Sequence, residues 1–275
     1  RVNAGTLPPE SWQNAPEEGH GRILGEVCHF VDLARFLLGS NIVSVSATAA
    51  VSDGFDAIKL APFDGLARGI DKAEDAADGI ACMQAVRQAI GPNVDLLIDC
   101  HSHFTAKGAL AVAKALADLD LFWFEEPVPD EDIAGYLEVK AKSGLPIAGG
   151  ESRMHRRGFW QACNDNILDI AMPDVTIVGG ICELKKVAAM AEARGIRTAP
   201  HGPFGPVTTA SSVHAMAAHP AFAILEYAWG EVPWRPTLTL PNEKISNGRI
   251  TLPQTPGLGI ELDQKIVAAH RIAIT

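Results

Sequence analysis

"LFWFEEPVP", Leu121 to Pro129, is an apolar run of strand character that ends in two adjacent carboxylates, Glu125 and Glu126, and is stopped by Pro127. Repulsion and desolvation both oppose acids at the end of a buried strand. The same event recurs along the chain. The β-rich runs are "DAIKLAP" (56–62), "VDLLIDC" (94–100), "LFWFEE" (121–126), "LPIAGGE" (145–151), "LDIAMPD" (168–174), "IRTAPH" (196–201) and "AFAILEY" (221–227). Helical patterns fall between them, among them "DKAEDAADGIACMQAVRQAI", "AKGALAVAKALADL" and "ICELKKVAAMAEARG", the last with Gly195 as its expected C-cap. Strand–helix alternation at this spacing means parallel βαβ units, and nearly continuous apolar strands mean a sheet covered on both faces.

The strand ends choose between a barrel and an open sheet. Six runs carry an ionisable residue where the strand meets the following loop: Asp99, Glu125, Glu151, Asp174, His201 and Glu226. The steps between them are 26, 26, 23, 27 and 25 residues. In a (β/α)8 barrel such positions converge on one face, where active sites sit. An open sheet would spread them across its width. The expected fold is therefore α/β, a TIM-like barrel. Alternation along a strand puts Trp123 and Glu125 inside, with Phe124 and Glu126 toward the helices. Asp99 shares a face with Leu97 and His101, while Cys100 faces away.

Asp99, Glu125 and Glu151 end three consecutive strands, and adjacent strands lie roughly 4.7–4.9 Å apart. Three inward carboxylates would crowd, and a divalent cation is the simplest compensation. All-oxygen ligands with open positions suit Mg²⁺, with Mn²⁺ as a substitute. The competing reading is that each acid caps a helix or pairs with a base. Asp174 and His201 come next, and an Asp beside a His orients the imidazole and raises its basicity, as in a general base. His101 could serve as a general acid, and Glu226 could hydrogen-bond a developing enolate oxygen.

Bulk properties narrow the classes. A net charge of −10 over 275 residues argues against a nucleic-acid partner. No apolar stretch is long enough to span a membrane. Five scattered cysteines without a CxxC pair suit a reducing cytosol, so a cytoplasmic location is expected. The chain begins at Arg1 without an initiator Met or a signal-peptide pattern, as expected of a piece of a longer chain.

The runs "DCHSHF", "FEEPVP", "IAGGES", "MPDVTIVGGICE", "APHGPFGPV" and "ILEYAWGEVPW", with the tail "NGRITLPQTPGLGIELD", occur in order over about residues 54–265. Together they resemble the mandelate racemase subgroup of the enolase superfamily, nearest to its acid-sugar (galactonate-type) dehydratases. The resemblance implies Asp99, Glu125 and Glu151 as Mg²⁺ ligands, the Asp174–His201 dyad as base, His101 as acid for the leaving hydroxide and Glu226 as enolate stabiliser. It implies dehydration of a small-molecule sugar acid to a 2-keto-3-deoxy acid. The family's racemases use the second Lys of a K-x-K motif on the second strand. "IKLAP" keeps Lys59 but has Ala61 at that place, so a one-base dehydration is expected over racemisation, with Lys59 the next candidate base. A capping domain and the first βα unit are not recognisable, which leaves a catalytically inactive metal-binding barrel as the alternative.

Residues 1–50 read differently from residues 51–275, the barrel with its tail. The first segment is similar to part of the C-terminal domain of the glucose–fructose oxidoreductase and inositol dehydrogenase family, including a Glu26–Cys28–His29–Asp32 helix. "GHGRILG" places Gly19, Gly21 and Gly25 outside the G-x-G-x-x-G pattern, so no dinucleotide cofactor is expected and an NAD-linked dehydrogenase is disfavoured. Ala50 to Gly54 is too short for a βαβ crossover after "NIVSVSATA". The barrel is then either open on that side or completed by another subunit of a homo-oligomer.

Overall fold

A computed structural model describes Ala47, Ala50, Val51 and residues 53–230 and 232–271. The helix and glycine pattern read over residues 19–32 lies outside the described residues, as does most of "NIVSVSATA". The one described residue of that expected strand, Ala47, is helical, as an Ala-rich stretch favours.

Six strands form one parallel sheet in sequence order: β1 (Ala57–Leu60), β2 (Asp95–Asp99), β3 (Leu121–Glu125), β4 (Ile147–Gly149), β5 (Ile170–Ala171) and β6 (Arg197–Thr198). The helices between them are α1 (Ala77–Ile90), α2 (Ala106–Ala115), α3 (Ile133–Ser143), α4 (His155–Asn164) and α5 (Ile181–Glu192), followed by α6 (Pro206–Met216). Local signals start and stop them. Thr105 caps α2 by accepting from the Gly108 N–H, and Asp132 caps α3 by accepting from Gly135. Gly144 takes the left-handed turn after α3. Gly195 takes a left-handed conformation three residues beyond α5 rather than directly at its end.

The strands are shorter than their apolar runs. Prolines end two of them: Pro173 and Pro200 have no N–H for the ladder, so β5 stops at Ala171 and β6 at Thr198. The seventh expected strand is reduced to one parallel bridge, Thr198 with Phe222. Asp174, His201 and Glu226 consequently project from the loops just past the ladder.

The sheet curls into a TIM-like barrel. A flat array of six strands would hold its edges roughly 25 Å apart. Instead, Lys59 of β1 meets Glu226, beyond the Phe222 bridge, at 2.6 Å. Phe55 stacks on Tyr227 with ring centroids 6.2 Å apart. Alternation along the strands separates two apolar layers. Leu97, Trp123, Ala148, Ile170, Met172 and Ala199 pack together inside the barrel. Phe124, Cys100, Ile98 and Ile147 join the helices on the outside. Each large side chain so buried contributes about 1.5–3 kcal/mol.

After α6 the chain runs through short strands, β7 (Thr239–Leu240), β8 (Ile245–Ser246), β9 (Arg249–Ile250) and β10 (Glu261–Leu262), to α7 (Gln264–Ala269). Buried Arg235 clamps this tail to the barrel mouth. It donates to Glu243 Oε2, to the Phe204 carbonyl and to Thr209 Oγ1, and its guanidinium lies 4.2 Å from the Tyr227 ring centre. Among the described residues no helix is long and apolar enough to cross a membrane.

Candidate active site

The parallel register sets Asp99 directly beside Glu125. One strand further, Gly149 ends β4 and Gly150 turns the chain so that Glu151 follows at the mouth. Gly150 has φ +101°, and a Cβ there would meet the Phe159 ring at 2.8 Å, so the turn excludes a side chain. Asp99, Glu125 and Glu151 each offer an oxygen, and these atoms lie within 4.8 Å of one another. Glu151 Oε2 is buried and accepts no hydrogen bond among the described residues, although His201 Nε2 stands 3.3 Å away. Three convergent carboxylates, one with an orphaned oxygen, fit a hard divalent cation. Glu126 is not in this set. Among the described residues its carboxylate accepts long contacts from Gly150 N, 3.4 Å, and Ser102 Oγ, 3.5 Å. Its backbone takes a left-handed φ of +37°.

Lys59 supplies the nearest positive charge. Its Nζ lies 2.6 Å from Glu226 Oε1, 2.9 Å from Glu125 Oε1 and 3.6 Å from Asp99 Oδ2. Burial disfavours its ammonium, but the charges of Glu125, Glu226 and Asp99 outweigh that and raise its pKa well above the ordinary lysine value. Burial also pushes Glu226 up, and Lys59 followed by His201 more than reverses this, so Glu226 is held below the ordinary range. Glu125 is driven the other way, first by burial and then by the charge of Asp99. Trp123 Nε1 donates to its second oxygen at 2.9 Å.

His201 Nδ1 lies 2.7 Å from Asp174 Oδ2. With that nitrogen carrying the proton, Nε2 presents a lone pair to the cavity. Burial lowers the His201 pKa, and the Asp174 hydrogen bond, then Glu226 and Glu151, raise it above the ordinary value. Asp174 is itself fixed, since its Oδ1 accepts from the Thr176 N–H at 2.6 Å and from the Thr176 hydroxyl.

His101 sits between two carboxylates. Its Nδ1 is 2.5 Å from Asp64 Oδ1 and its Nε2 is 3.0 Å from Asp99 Oδ2. Burial opposes the imidazolium, but the hydrogen bonds to Asp64 and Asp99 push its pKa up to about 11. The turn that carries it is left-handed at His101 and Ser102, φ +43° and +59°, a region His tolerates better than most residues.

The structure thus brings Lys59, Asp99, His101, Glu125, Glu151, Asp174, His201 and Glu226 to one end of the barrel. Lys59, Asp99, His101, His201 and Glu226 line a cavity of about 950 Å³. Sequence reasoning passed over Asp64, in the loop after β1, whose only signal was an acid in the "PFDG" turn. It also passed over Thr176, legible as an Asp-x-Thr turn in which the hydroxyl and N–H return to the carboxylate.

The sequence profile of the family described as "Enolase C-terminal domain-like" matches residues 43–266. That match includes the end of the segment set apart as residues 1–50. A D-galactarolactone cycloisomerase from Agrobacterium fabrum is 34% identical over 203 residues, covering 71% of this chain and 54% of the relative. A D-gluconate/D-galactonate dehydratase from Picrophilus torridus is 33% identical over 225 residues, covering 79% of this chain and 55% of the relative. The crystal structure of a mandelate racemase/muconate lactonizing enzyme-like protein from Rubrobacter xylanophilus superposes with a TM-score of 0.80 at 34% identity, covering 86% of this chain and 63% of that one. The chain spans about half the length of the curated relatives it matches.

Proposed function

The chain belongs to the Enolase C-terminal domain-like family, and from that premise we propose that it dehydrates a sugar acid to a 2-keto-3-deoxy acid with Mg²⁺ at its carboxylate site. The single observation that carries this reading is the union, in one barrel mouth, of a three-carboxylate cluster with a His–Asp dyad. Relatives named as gluconate, galactonate and xylonate dehydratases support the substrate class.

Asp99, Glu125 and Glu151 would hold the ion. When bound, it supplies positive charge against the second negative charge that builds on the substrate carboxylate as the α proton leaves. His201 Nε2 takes that proton, and Asp174 holds the ring in the tautomer that leaves Nε2 unprotonated. His101, paired through Nδ1 with Asp64 at 2.5 Å, gives a proton to the departing β hydroxyl. The products are water and an enol that tautomerises to the keto acid.

Glu226, the expected stabiliser of the enolate oxygen, would act there beside the ammonium of Lys59, which it holds at 2.6 Å and which has three donors.

The experiment is a screen of an acid-sugar library with Mg²⁺, detecting 2-keto acid. Dehydration removes one water from the substrate, whereas a cycloisomerisation leaves its mass unchanged. Mass measurement therefore separates the two activities named among the relatives. Conversion without loss of water would replace dehydration by the second.

A further inference from the structure

Lys59 stands against the carboxylate cluster. Its Nζ is bonded to one prospective ligand, Glu125 Oε1, at 2.9 Å and lies 3.6 Å from another, Asp99 Oδ2. Trp123 holds the other oxygen of Glu125, so Oε1 is the oxygen with most to offer an ion, and the ammonium occupies it. The shortest of its three contacts is to Glu226, at 2.6 Å, which lies outside the three-carboxylate cluster. Glu226 is anchored independently, because Gly202 N donates to its Oε2 at 3.0 Å.

We propose that Lys59 is a resident counter-cation of the carboxylate site, and that a divalent ion entering between Asp99, Glu125 and Glu151 displaces its ammonium onto Glu226 alone. Like charges drive the exchange. A monovalent and a divalent cation some 4–5 Å apart repel by more than a tenfold factor in affinity even at a high effective dielectric, roughly. The four-carbon stem of lysine lets the head move without the backbone, and Glu226 gives the head a carboxylate to retreat to. Without an ion the ammonium neutralises carboxylates that would otherwise repel. With the ion in place it is delivered to the side of the site where Glu226 holds it.

The inference rests on the metal reading of the site, and calorimetric Mg²⁺ titration of the full chain separates the two. The variants are Lys59→Met, Glu226→Gln and the double variant. Lys59→Met should tighten Mg²⁺ binding by roughly tenfold or more, and its metal-free form should melt lower than wild type, with Mg²⁺ restoring the difference. Glu226→Gln should weaken binding when Lys59 is present and have little effect in the Lys59→Met background. Equal or weaker binding in Lys59→Met, or an equal effect of Glu226→Gln in both backgrounds, would overturn the displacement and leave the metal site standing. If wild type binds no Mg²⁺, binding gained in Lys59→Met supports the counter-cation, and none in either overturns both readings. Should Lys59→Met not fold, the wild-type chain still decides. The nitrogen-15 resonance of the Lys59 ammonium must shift as Mg²⁺ saturates the site, and an unmoved resonance alongside measurable binding contradicts the exchange.

Discussion

Lys59 Nζ and Glu226 Oε1 stand 2.6 Å apart, joining the first described strand of the sheet to the segment beyond its last. The contact bridges the two ends of the curled sheet and places a cation beside the carboxylate cluster at once. Structural and chemical roles therefore share one ion pair.

Glu226→Gln leaves the half-buried ammonium with Glu125 and Asp99 as its remaining counter-charges. Part of the pairing survives, so the metal-free chain should lose about 1–3 kcal/mol of stability. Chemical denaturation measures this, and an unchanged unfolding midpoint would show that the seam does not depend on the pair.

Glu125→Gln and Glu126→Gln should separate sharply. Glu125 belongs to the cluster whose oxygens lie within 4.8 Å of one another, and Glu126 does not. Calorimetry should find Mg²⁺ binding abolished in the first variant and retained within a few-fold in the second. Equal loss in both would show that Glu126 also faces the ion.

The Asp174–His201 hydrogen bond sets the sign of a pH effect. Proton abstraction needs neutral His201, so the rate should rise with pH through its raised pKa. Asp174→Asn removes the leading upward influence, so the limb should move to lower pH while the plateau falls roughly 10²–10⁴-fold. Stability follows the same sign. A His with a raised folded pKa contributes stability that is fully present below its unfolded pKa and lost as pH rises through the folded one. Asp174→Asn should thus cost more at acid pH than at alkaline pH. A limb that moves to higher pH would contradict the pairing.

Asp64→Asn should lower the His101 pKa from about 11, read by NMR titration of that imidazole. Dehydration should slow by roughly 10–100-fold, while α-proton exchange, which needs no general acid, stays within a few-fold of wild type. Equal loss of both rates would show that Asp64 acts on the whole site rather than through His101.

Much of this geometry was legible in the sequence because parallel βα units repeat an ionisable residue at nearly constant spacing. Asp99 and Glu125 fall side by side because the strand register preserves that repeat. Alternation likewise separated Trp123 from Phe124, one inside the barrel and one outside. Strand length was over-read because Pro173 and Pro200 end the ladders while their neighbours stay apolar. Asp64 was passed over because its partner, His101, comes from the loop after a different strand. The Lys59–Glu226 contact depends on the curl of the whole sheet, and no local pattern encodes it.

The most direct test of the central claim follows the α proton. The Mg²⁺-loaded chain is incubated in deuterated solvent with a sugar acid that it turns over or exchanges, beside His201→Asn. Wild type should incorporate deuterium at the α carbon. His201→Asn should incorporate none while binding Mg²⁺ as wild type does, because the metal set does not include His201. Exchange that persists in His201→Asn would contradict His201 as the base.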